Sequence, residues 1–304
     1  MTSPLGRYAP SPSGNQHLGN VFVAIVSWAY PHQRGGRCAL RIDDLDGPRV
    51  HPESEASICE ELTWLGLTFD PGPNQHPACR QSLRSARYRT VHGQLLNKNA
   101  SYECFLSRKE WLAAASAPHG ETGPIVQDRV AVQPLPDKGA QRPPAWRFKS
   151  PFDVINFTDQ NQGLQSSSVD DFVVWRRDGI ASYHLACVVD DHDLGVTEVL
   201  RGADLVPSTF RQLALYRTLD WKEPDYLHLP LVVTEAGERL EKRHGLPGIG
   251  ALRDRGVKLE TLYGWVLSAL TGQNMKSISQ HDFLRQLPSP PWRRLPVVVP
   301  EVLR

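Results

Sequence analysis

Long apolar runs are missing from this 304-residue sequence, and a helix needs about 20 consecutive apolar residues to cross a bilayer. No membrane span is therefore expected. The N-terminus, Met1-Thr2-Ser3-Pro4-Leu5-Gly6, lacks the apolar core of a secretory signal. A surplus of either charge is also missing, since 34 Lys and Arg face 33 Asp and Glu for a formal charge of +1. Such a balance gives no global attraction for nucleic acid, so any RNA contact has to use local patches. Cysteine is scarce and scattered: Cys38, Cys59, Cys79, Cys104 and Cys187 form no Cys-x-x-Cys pair. That usage fits reduced, mostly structural thiols and a cytoplasmic location. No internal repeat of fixed period is visible.

What is present suits one large or two modest domains with a sizeable core. The chain is organised around Arg7 to Asn20, Arg-Tyr-Ala-Pro-Ser-Pro-Ser-Gly-Asn-Gln-His-Leu-Gly-Asn. A short apolar strand ends there, and the apolar run Val21 to Trp28 that follows has helical character. Pro10 and Pro12 stiffen the turn between them. Gly14 and Gly19 carry no Cβ, so a ligand or another backbone can come close. His17 falls at a helix N-terminus, where free N–H groups and the helix dipole favour an anion such as phosphate.

Further along, Cys38 to Ile42 reads as a strand that ends on Asp43-Asp44-Leu45-Asp46, at the edge where open α/β sheets place ligands. His51 to Leu67 is an amphipathic helix, and Gln81-Ser82 opens another with Tyr88, Val91 and Leu95 on one face. Tyr102 to Leu106 reads as a strand, and Ser107 with Glu110 as a capping box. Residues 118 to 144, rich in Pro, Gly and Gln, read as a loose surface insertion. Ala145 to Lys149 and Val154 to Asp159 read as strands paired with each other. Asp170 to Trp175 is a strand entering the turn at Gly179. Tyr183 to His192 reads as one more strand; neighbouring side chains then alternate faces, so few of Asp190, Asp191, His192 and Asp193 could reach one ion. Thr197 to Leu205 gives a strand ending at Arg201, before a helix with Phe210, Leu213 and Tyr216. Tyr226 to Val233 is a buried strand leading to the charged loop Glu238 to Arg243. Two short helical patterns and a Pro-rich tail from Leu287 complete the chain.

Arg7, the two Ser-Pro steps, Gly14 and His17-Leu18-Gly19-Asn20 resemble the first signature of class I aminoacyl-tRNA synthetases, in their glutamyl branch. Three later stretches are similar to the same branch: Gln81-Ser82-x-Arg84-x-x-x-Tyr88, Tyr183 to Asp191, and Arg201-Gly202-x-Asp204-Leu205. Asp43 stands where the branch carries glutamate in Arg-x-Glu-Asp-x-Asp, with an arm one methylene shorter. Arg239-Leu240-Glu241-Lys242-Arg243 stands where class I enzymes carry Lys-Met-Ser-Lys-Ser. Here Arg239 replaces the first lysine, Lys242 keeps the second, and Glu241 replaces the serine. A carboxylate there costs ATP affinity unless it points away or pairs with Arg239 or Arg243. The family continues into anticodon-binding domains, whereas its glutamyl-queuosine tRNA(Asp) synthetases stop near this length.

The resemblance implies a Rossmann-type α/β fold with a doubly wound parallel sheet, a connective insertion and a small helical C-terminal region. The expected parts are 1–100 and 171–245 for the two catalytic halves, 101–170 for the insertion and 246–304 for the helical region. It implies a ligase that uses ATP to activate L-glutamate as glutamyl-adenylate, releasing pyrophosphate, and passes glutamate to queuosine of tRNA(Asp), as a monomer. Glutamate would meet Arg7, Tyr8, Ala9, Pro10, Ser11, Asp43, Tyr183 and Arg201. ATP, with Mg2+, would meet His17, Gly19, Asn20, Arg239 and Lys242, and His17, Asn20 and Lys242 would serve catalysis. The queuosine-directed members bind zinc through a Cys-x-Cys, a Tyr and a further Cys. This chain keeps Cys104, but Leu106 and Asp128 stand at the other cysteine positions, so neither zinc nor another protein-bound metal is expected. Two other readings are a glutamate-activating ligase with a different acceptor and a non-catalytic paralogue.

Overall fold

The computed structural model describes residues 3–14, 16–45, 47, 50–106, 143–234, 237, 238, 240 and 248–303. The capping box at Ser107, most of the insertion, Asp128 and the charged-loop residues Arg239, Glu241, Lys242 and Arg243 lie outside them.

Strand β1 (Leu5–Tyr8) is buried along its whole length, which marks a central strand covered on both faces. Helix α1 (Leu18–Gln33) follows and is buried on nearly all sides, from Val21 and Phe22 to Ala29 and Tyr30. It crosses over to β2 (Arg37–Leu40), which pairs parallel to β1 from Leu5↔Arg37 to Tyr8↔Leu40. The second half repeats the plan. Strand β8 (Glu198–Gly202) pairs parallel with β9 (Asp225–Leu229), and helix α5 (Val206–Thr218) crosses between them. The halves meet along β1 and β8, where Thr197 N donates to Leu5 O at 2.9 Å. Two parallel pairs, β2-β1 and β8-β9, therefore lie side by side with β1 next to β8, and the chain winds outward both ways from that junction. A crevice opens at the carboxyl ends of the two central strands, the usual place for a ligand in such sheets. A short parallel pair, β10 (Val232–Val233) with β11 (Val297–Val298), ties in the tail.

Between the halves, helices α2 (Pro52–Trp64) and α3 (Ser85–Asn97) lead to an antiparallel sheet of β3 (Ser101–Cys104), β4 (Ala145–Phe148) and β7 (Phe172–Trp175). Strands β5 (Val154–Asp159) and β6 (Gly163–Ser168) form a separate hairpin. The expected pairing of Ala145–Lys149 with Val154–Asp159 is thus corrected. β4 takes β3 and β7 as neighbours, and the turn at residues 160–162 folds β5 onto β6.

A second correction concerns Tyr183 to His192. These residues are not a strand but lie in helix α4 (Tyr183–Leu194). The β-branched Val188 and Val189 favour a strand locally. The ends decide otherwise. Ser182 accepts the N–H of Leu185 as an N-cap, and Gly195 at φ 71° terminates the helix. Leu185, Val188 and Val189 then fall on one buried face.

Two apolar cores result. One joins α1, α2 and the C-terminal helices α6 (Ile249–Asp254), α7 (Leu259–Thr271) and α8 (Gln280–Gln286). The Tyr263 hydroxyl donates to Leu65 O at 2.8 Å across it. The other joins α3, α4, α5 and the antiparallel sheet. Among the described residues, no helix is long and apolar enough to cross a membrane.

Candidate active site

The crevice has a volume of about 460 Å³ and is lined by the turn after β1, the start of α1, Asp43, Tyr183 and the end of β8. Arg7, Tyr8, Ala9, Pro10, Ser11, His17, Gly19, Asn20, Asp43, Tyr183 and Arg201 all line it. The structure therefore brings together every expected site residue that it describes. Arg239 and Lys242 lie outside the described residues. Leu240, between them, is buried, lines the crevice and donates its N–H to Val232 O at 3.0 Å.

His17 is the N-cap of α1. Its Nδ1 accepts the N–H of Asn20 at 3.3 Å, while Asn20 Oδ1 accepts the N–H of His17 at 3.2 Å. This is a capping box built from unusual residues. It also fixes the imidazole. With Nδ1 accepting, the ring proton of neutral His17 sits on Nε2, which makes that nitrogen a donor. The turn before it is held by carbonyls that prolines leave available: Asp43 N donates to Pro10 O and His51 N to Pro12 O, both at 3.1 Å. Tyr8 is buried and donates to Gln16 Oε1 at 2.6 Å.

Below the crevice lies a chain of buried charges. Arg41 is fully buried and reaches Asp43 through Nε at 2.6 Å and Nη2 at 3.2 Å. Its Nη1 reaches Asp191 Oδ1 at 2.5 Å. Asp191 also accepts from Arg7 Nε, at 3.2 and 3.3 Å, and Arg7 Nη1 donates to Leu200 O. Burial opposes ionisation of Asp191, yet Arg7 and Arg41 hold its carboxyl below the ordinary value. Burial raises the carboxyl of Asp43 despite the adjoining Arg41. Arg7 and Asp43 thus meet the crevice already paired, and what they present to it is set by those pairs.

Arg201 differs. Its Nε donates to His228 Nε2 at 3.1 Å and its Nη2 to Thr209 Oγ1 at 2.6 Å. Nη1 is buried and has no partner among the described residues. No carboxylate pairs with Arg201 there. A buried cation with one free donor edge is costly unless something anionic arrives.

Sequence reasoning missed Arg41, Asp191, His228 and Asp159. On strand geometry few of Asp190, Asp191, His192 and Asp193 could reach one ion. On α4 they turn to different neighbours: Asp190 accepts from Gln81, Arg84 and Tyr88, and Asp193 from Arg84 and Arg87. The Gln-Ser-x-Arg-x-x-x-Tyr pattern is thereby a set of donors, its Ser82 bonding Asp44. Among the described residues no group of three or more His, Cys, Asp or Glu could hold a metal. Cys104 Sγ accepts from Arg147 Nε at 3.3 Å.

The chain is 41% identical over 283 residues to the Glutamyl-Q tRNA(Asp) synthetase of Symbiobacterium thermophilum, covering 88% of this chain and 87% of that one. Its identity to the protein of the same name from Nitratidesulfovibrio vulgaris is also 41%, over 88% and 86%. With the glutamate–tRNA ligase of Burkholderia cenocepacia it is 37%, over 88% of this chain and 58% of that one. The solved glutamate tRNA ligase of Elizabethkingia meningosepticum, in complex with its amino acid, superposes with a TM-score of 0.83 at 27% identity, over 98% of this chain and 67% of that one. Residues 5–286 match the family model described as tRNA synthetases class I (E and Q), catalytic domain. The chain is a ligase that belongs to the class I tRNA synthetases of the E and Q type.

Proposed function

We propose that the crevice activates L-glutamate with ATP and that the glutamyl group then passes to queuosine in tRNA(Asp). The observation that carries the first step is Arg201, a buried guanidinium at the crevice wall whose Nη1 lacks a partner among the described residues. A substrate carboxylate completes it. Arg7, whose charge Asp191 partly offsets, adds a second guanidinium to the same wall, and a dicarboxylic amino acid has two anionic groups to place. Asp43 faces the substrate ammonium.

One carboxylate oxygen of glutamate attacks the α-phosphate of ATP, the bond to the β-phosphate breaks, and pyrophosphate leaves. The acyl group of the adenylate then moves to a hydroxyl, and AMP departs. Neither step needs a side-chain nucleophile, so rate comes from alignment and from stabilising charge that grows on the phosphate. His17, with its proton on Nε2, donates to the α-phosphate, and the start of α1 adds its free N–H groups. Lys242 and Arg239 are assigned to the leaving phosphates. Mg2+ enters as the counter-ion of ATP.

For the acceptor, support comes from two of the relatives above, which carry tRNA(Asp) and Q in their names. Pyrophosphate exchange into ATP with each amino acid, without tRNA, tests the first step. Exchange with glutamate alone is expected. Silence with every amino acid, with and without tRNA, would overturn the reading in favour of a paralogue that binds without turnover. Glutamylation of queuosine-containing tRNA(Asp), and not of the same tRNA lacking queuosine, tests the acceptor.

A further inference from the structure

We propose that Asp159 and His228 are positioning residues that hold Arg201 in place through a single imidazole tautomer. The inference rests on Arg201 being the carboxylate-binding group of the proposed reaction.

Asp159 ends β5 in the inserted hairpin, and His228 lies on β9 in the second catalytic half. Both are buried, at 1% and 0% exposure. Asp159 Oδ1 accepts the backbone N–H of Asn161 at 2.9 Å and of Gln162 at 2.7 Å. Its Oδ2 meets His228 Nδ1 at 2.5 Å. An ionised carboxylate only accepts, so Nδ1 carries the ring proton. Nε2 is then a lone pair, and it takes the Nε–H of Arg201 at 3.1 Å. Thr209 Oγ1 takes Nη2 of the same guanidinium at 2.6 Å. Two of the three guanidinium nitrogens are therefore fixed, and Nη1 is the one left for a ligand.

The tautomer is the vulnerable part. In Asp159→Asn, the backbone N–H groups of Asn161 and Gln162, which both meet Oδ1, keep the amide oxygen there; the N–H of His228 lies between the two oxygens, at 3.2 and 3.1 Å, and turns to the retained one. The new NH2 then faces Nδ1, which has to accept. The ring proton moves to Nε2, where it opposes the Nε–H of Arg201, donor against donor, and competes with Arg201 Nη2 for Thr209 Oγ1 at 3.2 Å. His228→Gln instead supplies an amide oxygen toward Arg201 that needs no tautomer.

Two measurements on the full-length protein test this. In pyrophosphate exchange, Asp159→Asn is expected to raise KM for glutamate at least about tenfold and leave KM for ATP within about twofold. His228→Gln is expected to stay within about threefold of the native enzyme, and adding Asp159→Asn to it should change little. Equal rises in both KM values, or a His228→Gln enzyme as impaired as Asp159→Asn, would overturn the proposal. The 15N shifts of His228 read the tautomer directly and without turnover: Nδ1–H in the native protein and Nε2–H in Asp159→Asn. An unchanged tautomer also overturns it. Absence of glutamate exchange in the native enzyme with the tautomer shift intact would instead count against the proposed reaction, leaving the link itself in place.

Discussion

A Cβ added to Gly19 would stand 2.9 Å from Cε1 and 3.0 Å from Nδ1 of His17. Glycine at this position gives the imidazole its place, and the imidazole caps the helix. Gly19→Ala should therefore push the ring away from Asn20 N. Alanine suits a helix interior, which offsets much of the lost cap, so stability should change by about 1 kcal/mol or less. Exchange activity should fall by about tenfold or more, since a donor aimed at the phosphate is displaced. A thermal melt beside a kcat measurement checks the split; unchanged kcat would remove His17 from the proposed chemistry.

Asp191 serves two buried arginines at once, so its loss leaves both Arg7 and Arg41 under-compensated. Asp191→Asn should lower stability by about 3–5 kcal/mol, read from urea unfolding. The carboxyl of Asp191 is depressed in the folded state. Its contribution is complete above the ordinary carboxylate pKa and is lost as pH falls through the depressed one. The variant should thus show a shallower loss of stability in acid than the native protein.

Arg201→Lys keeps the charge but loses the planar fork, which Nε and Nη2 need in order to reach His228 and Thr209. A fall of about tenfold to 100-fold in kcat/KM for glutamate is expected, with KM for ATP unchanged. Retention of full efficiency would show that Arg201 does not bind the substrate.

His228 is surrounded by Asp159, Arg201, Thr209, Tyr226 and Phe157, with the charge of Arg7 also acting on it. Burial, with Arg201 and Arg7, holds its imidazole below 6.5 against the pull of Asp159. Protonation would place a donor on Nε2 facing Arg201. KM for glutamate at saturating ATP should stay flat down to pH 6.5 and rise only below it. A rise centred at or above the ordinary imidazole value would contradict the assigned neutral state.

Glu241 stands by sequence register where the resemblance places the triphosphate. Glu241→Ser should lower KM for ATP if repulsion operates there. Unchanged exchange kinetics would show that this carboxylate points away or is neutralised.

Local chemistry made much of this molecule legible from residues alone. Prolines at 10 and 12, the helix start at His17 and the Arg201-Gly202 strand end are short-range features, and steric limits and helix-end demands fix them within a few positions. The alternation of strands and helices in each half follows from apolar spacing in the same way. The tertiary structure decided the rest. Tyr183 to His192 became a helix because its cap and its buried face outweighed the local preference of two valines. Asp191 has Arg7 and Arg41 as partners, 184 and 150 positions away, because the fold brings α4 to the ends of β1 and β2. The contact of Asp159 with His228 spans 69 positions, and that of His228 with Arg201 spans 27. Buried charges must be paired wherever the fold places them, and no local pattern names a partner so far along the chain.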